Sequence, residues 1–198
     1  MLRHVFLLLS LLAVTGATAQ PAGVRLDTLH VQHVDFEGRT QQGIIICNRT
    51  IANDLRDIFA ELYRQRYPIE RIHPISEYDD DDERSMQANN TSCYCYRPIA
   101  GTTRLSKHAQ GLAIDVNPLY NPCVRRKKDG TLFIQPSTGK PYADRSKAFK
   151  YKITRRDLCY QLFIQHGFRW GGAWRSVKDY QHFERLAVWN IYIFRGLK

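Results

Sequence analysis

Residues 106–116, with the sequence SKHAQGLAIDV, constrain the fold more than any other segment of this chain. Leucine, isoleucine and valine alternate there with Ala113 and Asp115, which is the pattern of a strand with one face in a core. Gly111 allows the preceding loop to turn tightly, so His108 can fold back over the face that carries Asp115. The segment therefore predicts a buried strand with an imidazole and a carboxylate on the same side.

A second segment, DYQHFE at residues 179–184, supplies another imidazole flanked by carboxylates. Two histidines and one aspartate taken from the two segments fit a three-ligand zinc site with the fourth position left for water. These ligands are His108, Asp115 and His182. Hydrolysis at such a site also needs a proton acceptor and donor, and Asp179 and Glu184 are the two candidates. The spacing alone leaves both candidates open.

Two segments predict helices. Residues 50–67 place apolar side chains at a spacing of about 3.6 residues and end at Pro68. Further along, Thr154 and Asp157 resemble a capping box, and an apolar helical face continues from there to Gly167. Residues 92–98 alternate as a strand does.

Two charged segments predict exposed loops. The run DDDDE at residues 79–83 is interpreted as a solvated loop, with a calcium site as the alternative, although its carboxylates lack the spacing of a calcium motif. Four consecutive bases precede a polar turn at Asp129 and Gly130, which enters a strand from Thr131.

The N-terminal residues predict an export signal. A basic start, an apolar run over residues 5–14 and the small residues Ala17 and Ala19 indicate cleavage after Ala19. The domain organisation is then a signal peptide over residues 1–19 and a single domain over residues 20–198. A membrane anchor is the alternative, but the apolar run is shorter than the ~20 residues that span a bilayer. We expect a periplasmic or extracellular protein without stable membrane insertion after cleavage.

The chain carries a formal charge of +10, and removal of the signal takes away a single base, Arg3. This charge attracts anions, and outside the cytoplasm these are cell-wall polymers or lipid head groups rather than nucleic acid. A surface charge that serves solubility alone is the alternative reading.

Five cysteines follow the signal, and their odd number means that at least one thiol is free or pairs with another molecule. They are Cys47, Cys93, Cys95, Cys123 and Cys159. The C-x-C spacing of Cys93 and Cys95 suits neither a mutual disulfide nor a zinc site.

The two histidine-bearing segments resemble the zinc D,D-carboxypeptidase and L-alanyl-D-glutamate peptidase family of bacterial cell-wall enzymes. SKHAQGLAID fits the S-x-H-x-x-G-x-A-x-D pattern of that family, and DYQHFE fits its later acid-x-x-H pattern. The flanking segments NNTSCYCYRPIAGTTRLSKHAQGLAIDVNPLYNP and GFRWGGAWRSVKDYQHFE are similar to its endolysin-like branch. The resemblance covers residues 48–184.

The resemblance implies that the two histidines and the aspartate bind Zn²⁺ and that Asp179 is the general base and acid. Many relatives have glutamate at that place, so the aspartate suits the endolysin-like branch better than the dipeptidase branch. Glu184 then supports a ligand or the structure.

The resemblance also implies a substrate-binding role for an arginine upstream of the first motif. Arg97 in CYCYRP matches that place, with Arg104 as the alternative. Ser106 matches the motif serine, which binds substrate or orients the loop. Trp174 and Trp170 are expected to form a wall of the cleft, with burial in the core as the alternative.

The fold implied is α+β, with a small antiparallel sheet that carries the zinc site and is flanked by helices, as in hedgehog and D,D-peptidase domains. The expected activity is zinc-dependent hydrolysis of a peptide bond in peptidoglycan stem peptides. A non-catalytic zinc-bearing binding domain of the same fold and a basic polyanion-binding module are the alternatives. The bond cut and the oligomeric state stay open.

Overall fold

The structure, a computed structural model, describes residues 21, 23–99 and 102–186 of the chain. The predicted signal peptide, residues 1–19, lies outside the described residues. Within the described part, short strands mix with three α-helices, and none of these helices is long and apolar enough to cross a membrane.

Two strands have nine residues each and the other eight have two to four, and all of them belong to four sheets in the described part of the chain. In chain order they are β1 (Leu26–Val34), β2 (Thr40–Asn48), β3 (Arg71–Ile72), β4 (Asn90–Thr91), β5 (Ala113–Asp115), β6 (Cys123–Arg126), β7 (Leu132–Gln135), β8 (Arg169–Trp170), β9 (Val177–Asp179) and β10 (His182–Glu184). The helices are α1 (Ala52–Arg64), α2 (Asp82–Gln87) and α3 (Leu158–Gln165).

Three of the sheets are antiparallel, namely β1–β2, β5–β10–β8 and β7–β6–β9, whereas β3 and β4 form a parallel pair. The prediction of a mixed fold with small antiparallel sheets is confirmed. The sequence had indicated one such sheet, and the structure divides the strands among several.

The predicted strand at residues 112–116 is found as β5, and its two faces have the expected environments. Leu112, Ile114 and Val116 lie in the hydrophobic core, whereas Asp115 is buried on the opposite face. In the register of β5 with β10, Asp115 lies directly opposite His182. The sheet therefore brings one residue of each motif together.

The first predicted helix is found as α1, with shorter bounds than the sequence indicated. Asn48 begins the segment, because its side-chain oxygen accepts a hydrogen bond from Thr50 N at 3.0 Å and caps a 3₁₀ turn that leads into α1. The apolar face of α1 is fully buried against β1 and α3. Arg66 has a positive φ of 54°, which ends the helical conformation before Pro68.

The second predicted helix is found as α3, but the predicted cap is wrong. Asp157 is the N-cap, because its Oδ1 accepts a hydrogen bond from Cys159 N at 2.9 Å, and Thr154 lies outside the helix. Gly167 follows the helix with a φ of +78°, as the sequence indicated.

An aromatic cluster joins the two helices to the sheet that carries both motifs. Phe163 of α3 stacks on Phe183 of β10 at a centroid distance of 4.3 Å and meets Phe59 of α1 edge-on at 6.5 Å. All three rings are fully buried. Because Phe183 is adjacent to His182, this packing fixes the strand that presents the second histidine.

None of the five cysteines forms a disulfide in the structure, and four of them are buried. The exception is Cys123, which is half-buried.

The predicted strand at residues 92–98 is not formed, since only isolated bridges occur at Ser92 and Pro98. Within this segment the carbonyl of Cys93 accepts a hydrogen bond from the ring of His108 instead of from a strand.

Candidate metal centre and cleft

The structure brings together the three side chains that the two motifs predict as metal ligands. His108, Asp115 and His182 each offer a ligand atom, and these atoms lie within 4.8 Å of one another. All three residues are buried, with exposed fractions of 3, 4 and 7%. They come from a 3₁₀ turn at His108–Gln110 and from the paired strands β5 and β10.

Hydrogen bonds at the far side of each ring indicate which nitrogens face the centre. His108 Nδ1 lies 2.7 Å from the carbonyl oxygen of Cys93, which can only accept, so this nitrogen carries the proton and Nε2 is left with a lone pair. His182 Nε2 lies 3.5 Å from Glu184 Oε2, which leaves His182 Nδ1 facing Asp115 and His108. This is the arrangement in which metal-binding histidines are held by carbonyl or carboxylate partners.

The distances among the donor groups are close to those at a tetrahedral zinc ion. His108 Nε2 and His182 Nδ1 are 3.1 Å apart, and Asp115 offers a different oxygen to each ring, with Oδ1 at 3.1 Å from His182 Nδ1 and Oδ2 at 3.4 Å from His108 Nε2. Two ligands at ~2.0 Å from a tetrahedral Zn²⁺ are about 3.3 Å apart. The set of two imidazoles and one carboxylate also suits Zn²⁺ better than calcium or magnesium, which prefer oxygen ligands.

The charges at this centre favour a cation. Burial acts to raise the pKa of Asp115, but the charges and hydrogen bonds of His108 and His182 outweigh it and hold that pKa well below its usual range. Burial acts to lower the pKa of His182, but the carboxylates of Asp115, Glu184 and Asp179 raise it to about 10. Three electron-pair donors that converge in a buried space need a proton or a metal ion between them.

The motif serine and glycine explain why the first histidine is presented in this way. Ser106 is buried, and its Oγ accepts a hydrogen bond from Ala109 N at 3.1 Å, which caps the turn that carries His108. Gly111 ends the turn with a φ of +65°, and a Cβ there would lie 2.6 Å from Asn48 N. Ser106 also lines the cavity, so its predicted role in substrate binding stays a prediction.

Asp179 is at the end of β9, and its side chain lines the same cavity as the three ligands. Its Oδ1 is buried and has no hydrogen-bond partner among the described residues. Burial raises the pKa of Asp179 to about 6, against the opposing charge of His182. The absence of a side chain at Gly171 allows the backbone of Asp179 to lie close to it, since a Cβ at Gly171 would be 2.7 Å from the Asp179 carbonyl oxygen. The carboxylate is therefore placed to accept a proton inside the cavity.

The cavity around the centre has a volume of about 590 Å³. Both candidate arginines, Arg97 and Arg104, line it, and Ser106 N donates a 3.1 Å hydrogen bond to the carbonyl oxygen of Arg97. Trp174 forms another part of the wall, with its ring centroid 5.2 Å from that of His182. Trp170 instead belongs to the hydrophobic core.

The acidic run differs from its prediction. Asp79 and Asp80 are exposed, but Asp81 caps α2 and Asp82 lies in the first turn of this helix, where its side chain is only 13% exposed. Asp82 Oδ2 lies 2.8 Å from Arg97 Nε. The prediction of a wholly solvated loop is wrong for Asp82, because an arginine distant in sequence supplies the charge partner that allows burial.

Besides the two arginines, Cys123 and Gln135 line the cavity from outside both motifs. They lie side by side in the register of β6 and β7. On its other side Cys123 is paired with Asp179 of β9. Only the pairing of the three strands reveals this row, so no local sequence signal could have identified it.

Residues 100–185 match the family model described as D-alanyl-D-alanine carboxypeptidase. The matched segment contains both histidine motifs, and Arg97 lies just before it. No curated protein and no solved structure matches the chain. The matched segment is the one that carries the three converging side chains and Asp179, so this part of the chain is similar to the D-alanyl-D-alanine carboxypeptidase family of peptidases.

Proposed function

We propose that this chain is an exported, zinc-dependent peptidase that hydrolyses a peptide bond in peptidoglycan stem peptides. The observation that carries the proposal is the buried cluster of two imidazoles and one carboxylate beside the unpartnered Oδ1 of Asp179. The family supports a peptidase of the D-Ala-D-Ala carboxypeptidase type. Zinc dependence, the cell-wall substrate and export are our proposals.

In this proposal His108, Asp115 and His182 hold the zinc ion. Bound zinc would supply Lewis-acid polarisation of the scissile carbonyl and a lowered pKa for the attacking water. Asp179 Oδ1 takes a proton from the water and returns it to the leaving amine. Glu184 orients His182 through the ring nitrogen that points away from the centre.

A non-catalytic zinc-bearing domain of the same fold is the second candidate. It would need the three ligands, but it would not need a buried carboxylate oxygen, Asp179 Oδ1, that has no hydrogen-bond partner among the described residues. Such a group costs free energy when water is excluded, and its retention is explained by a role in proton transfer. The position of Asp179 therefore favours the peptidase.

The proposal is tested by mass spectrometry of defined muropeptides after incubation with the purified protein, with and without a chelator. We expect loss of either a terminal D-Ala or the L-Ala–D-Glu linkage, and no cleavage after metal removal. Absence of both products with a protein that contains zinc would favour the binding domain.

Arg97 is expected to make the enzyme demand a carboxylate next to the scissile amide. D-Ala-D-Ala offers its terminal carboxylate there, and L-Ala-D-Glu linked through its γ-carboxyl offers the free α-carboxylate of D-Glu. An arginine fork binds either group in a bidentate way. Conversion of this carboxylate to an amide should lower kcat/KM of the wild type by on the order of tenfold or more, which corresponds to ~1.4 kcal/mol.

The control for this prediction is Arg97→Ala with the same pair of substrates. In this variant, kcat/KM for the acid and for the amide should become nearly equal. If amidation lowers kcat/KM by the same factor in wild type and in Arg97→Ala, another residue binds the substrate carboxylate. Arg104 would then be tested in the same way, since it lines the same cavity.

The rate is expected to fall as the pH drops below about 6. Burial raises the pKa of Asp179 to about 6, and only the deprotonated form accepts a proton from water. A bound cation would shift this acid limb to lower pH, not to higher pH. The measurement is kcat/KM against pH, with Glu184→Gln as the control that keeps the limb. A constant rate far below that pH would contradict the assignment of Asp179 as the base.

A further inference from the structure

We propose that Asp82 is a positioning residue for Arg97: it holds the guanidinium group at its Nε edge, so that the remaining N–H groups can bind the substrate carboxylate. This inference rests on the proposed function and adds a residue outside both sequence motifs and outside the segment that matches the family model.

The contact is an ion pair in a poorly hydrated place. Asp82 Oδ2 and Arg97 Nε are 2.8 Å apart, with 13% of the Asp82 side chain and 32% of the Arg97 side chain exposed. Both atoms are buried, and the N–H direction does not give a well-aligned hydrogen bond between them. Among the described residues, no other carboxylate lies within ion-pair distance of Arg97. The attraction therefore depends on the charge of Asp82, and a neutral amide would not replace it.

The position of Asp82 is fixed independently of Arg97. Asp82 lies in the first turn of α2, and the Asp81 side chain caps this helix by accepting a hydrogen bond from Arg84 N at 3.1 Å. Met86, one turn further along α2, lines the cavity and accepts a 3.4 Å hydrogen bond from the amide of Gln181. The helix is thus a wall of the cavity, and its first turn gives Arg97 a rigid anchor.

The surrounding charges explain why an anchor is needed. Burial acts to lower the pKa of Arg97, but the carboxylates of Asp82, Asp115 and Asp179 together raise it. Without Asp82, no carboxylate among the described residues would lie within ion-pair distance of the guanidinium. The Arg97 side chain would then be free to turn away from the position in which it meets the substrate carboxylate. Fixing a flexible side chain before binding also reduces the entropy lost when the substrate binds.

The test compares the acid and the amide forms of the same substrate in wild type and Asp82→Asn. We expect the preference for the acid, on the order of tenfold in wild type, to fall to about threefold or less in Asp82→Asn. Asp80→Asn is the matched control, because it removes the same charge from an exposed residue of the same run. Asp82→Glu, which restores the charge, should recover part of the preference. A general loss of structure would lower both rates equally and leave their ratio unchanged.

A double-mutant cycle separates action through Arg97 from a direct effect of Asp82. In the Arg97→Ala background, Asp82→Asn should change the acid preference by less than about twofold. If Asp82→Asn lowers the acid preference several fold further in that background, the proposal is overturned. An acid preference in the single variant Asp82→Asn equal to that of wild type would also overturn it.

A second readout does not depend on activity. The ¹⁵Nε relaxation of Arg97 should show an ordered side chain in wild type and in Asp80→Asn, and a more mobile one in Asp82→Asn. Equal order in all three proteins would overturn the role of Asp82. An ordered Arg97 side chain in wild type without hydrolysis of the acid substrate would instead refute the proposed function and leave the anchoring contact established.

Discussion

Replacement of Asp179 by asparagine is expected to lower kcat by on the order of 10²–10⁴-fold while the zinc content stays that of the wild type. The amide is nearly isosteric with the carboxylate, so the packing of Asp179 against Gly171 is preserved. The amide cannot take up the proton of the attacking water. In the wild type, we expect Asp179 Oδ1, which has no hydrogen-bond partner among the described residues, to accept that proton. The measurement combines steady-state kinetics on a defined stem peptide with elemental analysis of the same preparation.

Glu184→Gln is the matched control, because it makes the same chemical change on the adjacent strand β10. A glutamine oxygen can still accept a hydrogen bond from His182 Nε2, so we expect only a mild loss of activity. The reverse order, with an inactive Glu184→Gln and an Asp179→Asn near wild type, would move the proton transfer to Glu184. It would leave Asp179 with a structural role.

The parts of the site that the sequence predicts are those that depend on local geometry. The alternation along β5 places Asp115 opposite the core, and Gly111 allows the turn that carries His108, because both effects act within a few residues. The pairing of Asp115 with His182 then follows from the antiparallel sheet, which the resemblance implied. The choice between Asp179 and Glu184 stayed open in the spacing and stays a prediction. In the structure the two carboxylates differ in their partners, since Glu184 Oε2 lies 3.5 Å from His182 Nε2 and Asp179 Oδ1 has no hydrogen-bond partner among the described residues.

The parts that the sequence could not predict depend on contacts between distant segments. A run of five acids carries no local sign that one of them is buried, since burial of Asp82 requires the charge of Arg97. In the same way, Cys123 reaches the cavity only through the pairing of β6 with β9, which brings it next to Asp179. Local patterns describe the face of an element, but not the partner that covers it.

The residue that caps α3 could not be predicted from the local sequence either. Thr154 and Asp157 have the spacing of a capping box, but either residue can cap a helix, and the sequence does not say where the helix begins. In the structure Asp157 caps α3, and the hydroxyl of Tyr67 also donates a 3.1 Å hydrogen bond to Asp157. This contact comes from the segment that follows α1, so packing between the two helical regions favours Asp157 as the cap.

Removal of either histidine ligand is expected to abolish both metal binding and hydrolysis. The wild type should contain about one zinc ion per chain, whereas His108→Ala and His182→Ala should each contain almost none, because two remaining ligands do not make a protein zinc site. His30→Ala is the control, since His30 is exposed on β1. Unchanged zinc content in both ligand variants would show that the metal, if present, is bound elsewhere.

Thermal unfolding gives a measure of the same site that needs no substrate. A ligand that binds only the folded state stabilises it by about 4 kcal/mol when its free concentration is a thousand times its dissociation constant. Addition of zinc to the metal-free wild type should therefore raise the unfolding temperature, and the same addition to His108→Ala should leave it nearly unchanged. The metal-free wild type should itself gain stability as the pH falls from about 10 to about 6.5, because the pKa of His182 is raised from its ordinary value of 6.5 to about 10 and a proton can take the place of the cation among the three donors. If zinc stabilised wild type and His108→Ala equally, the three converging side chains would not be the binding site.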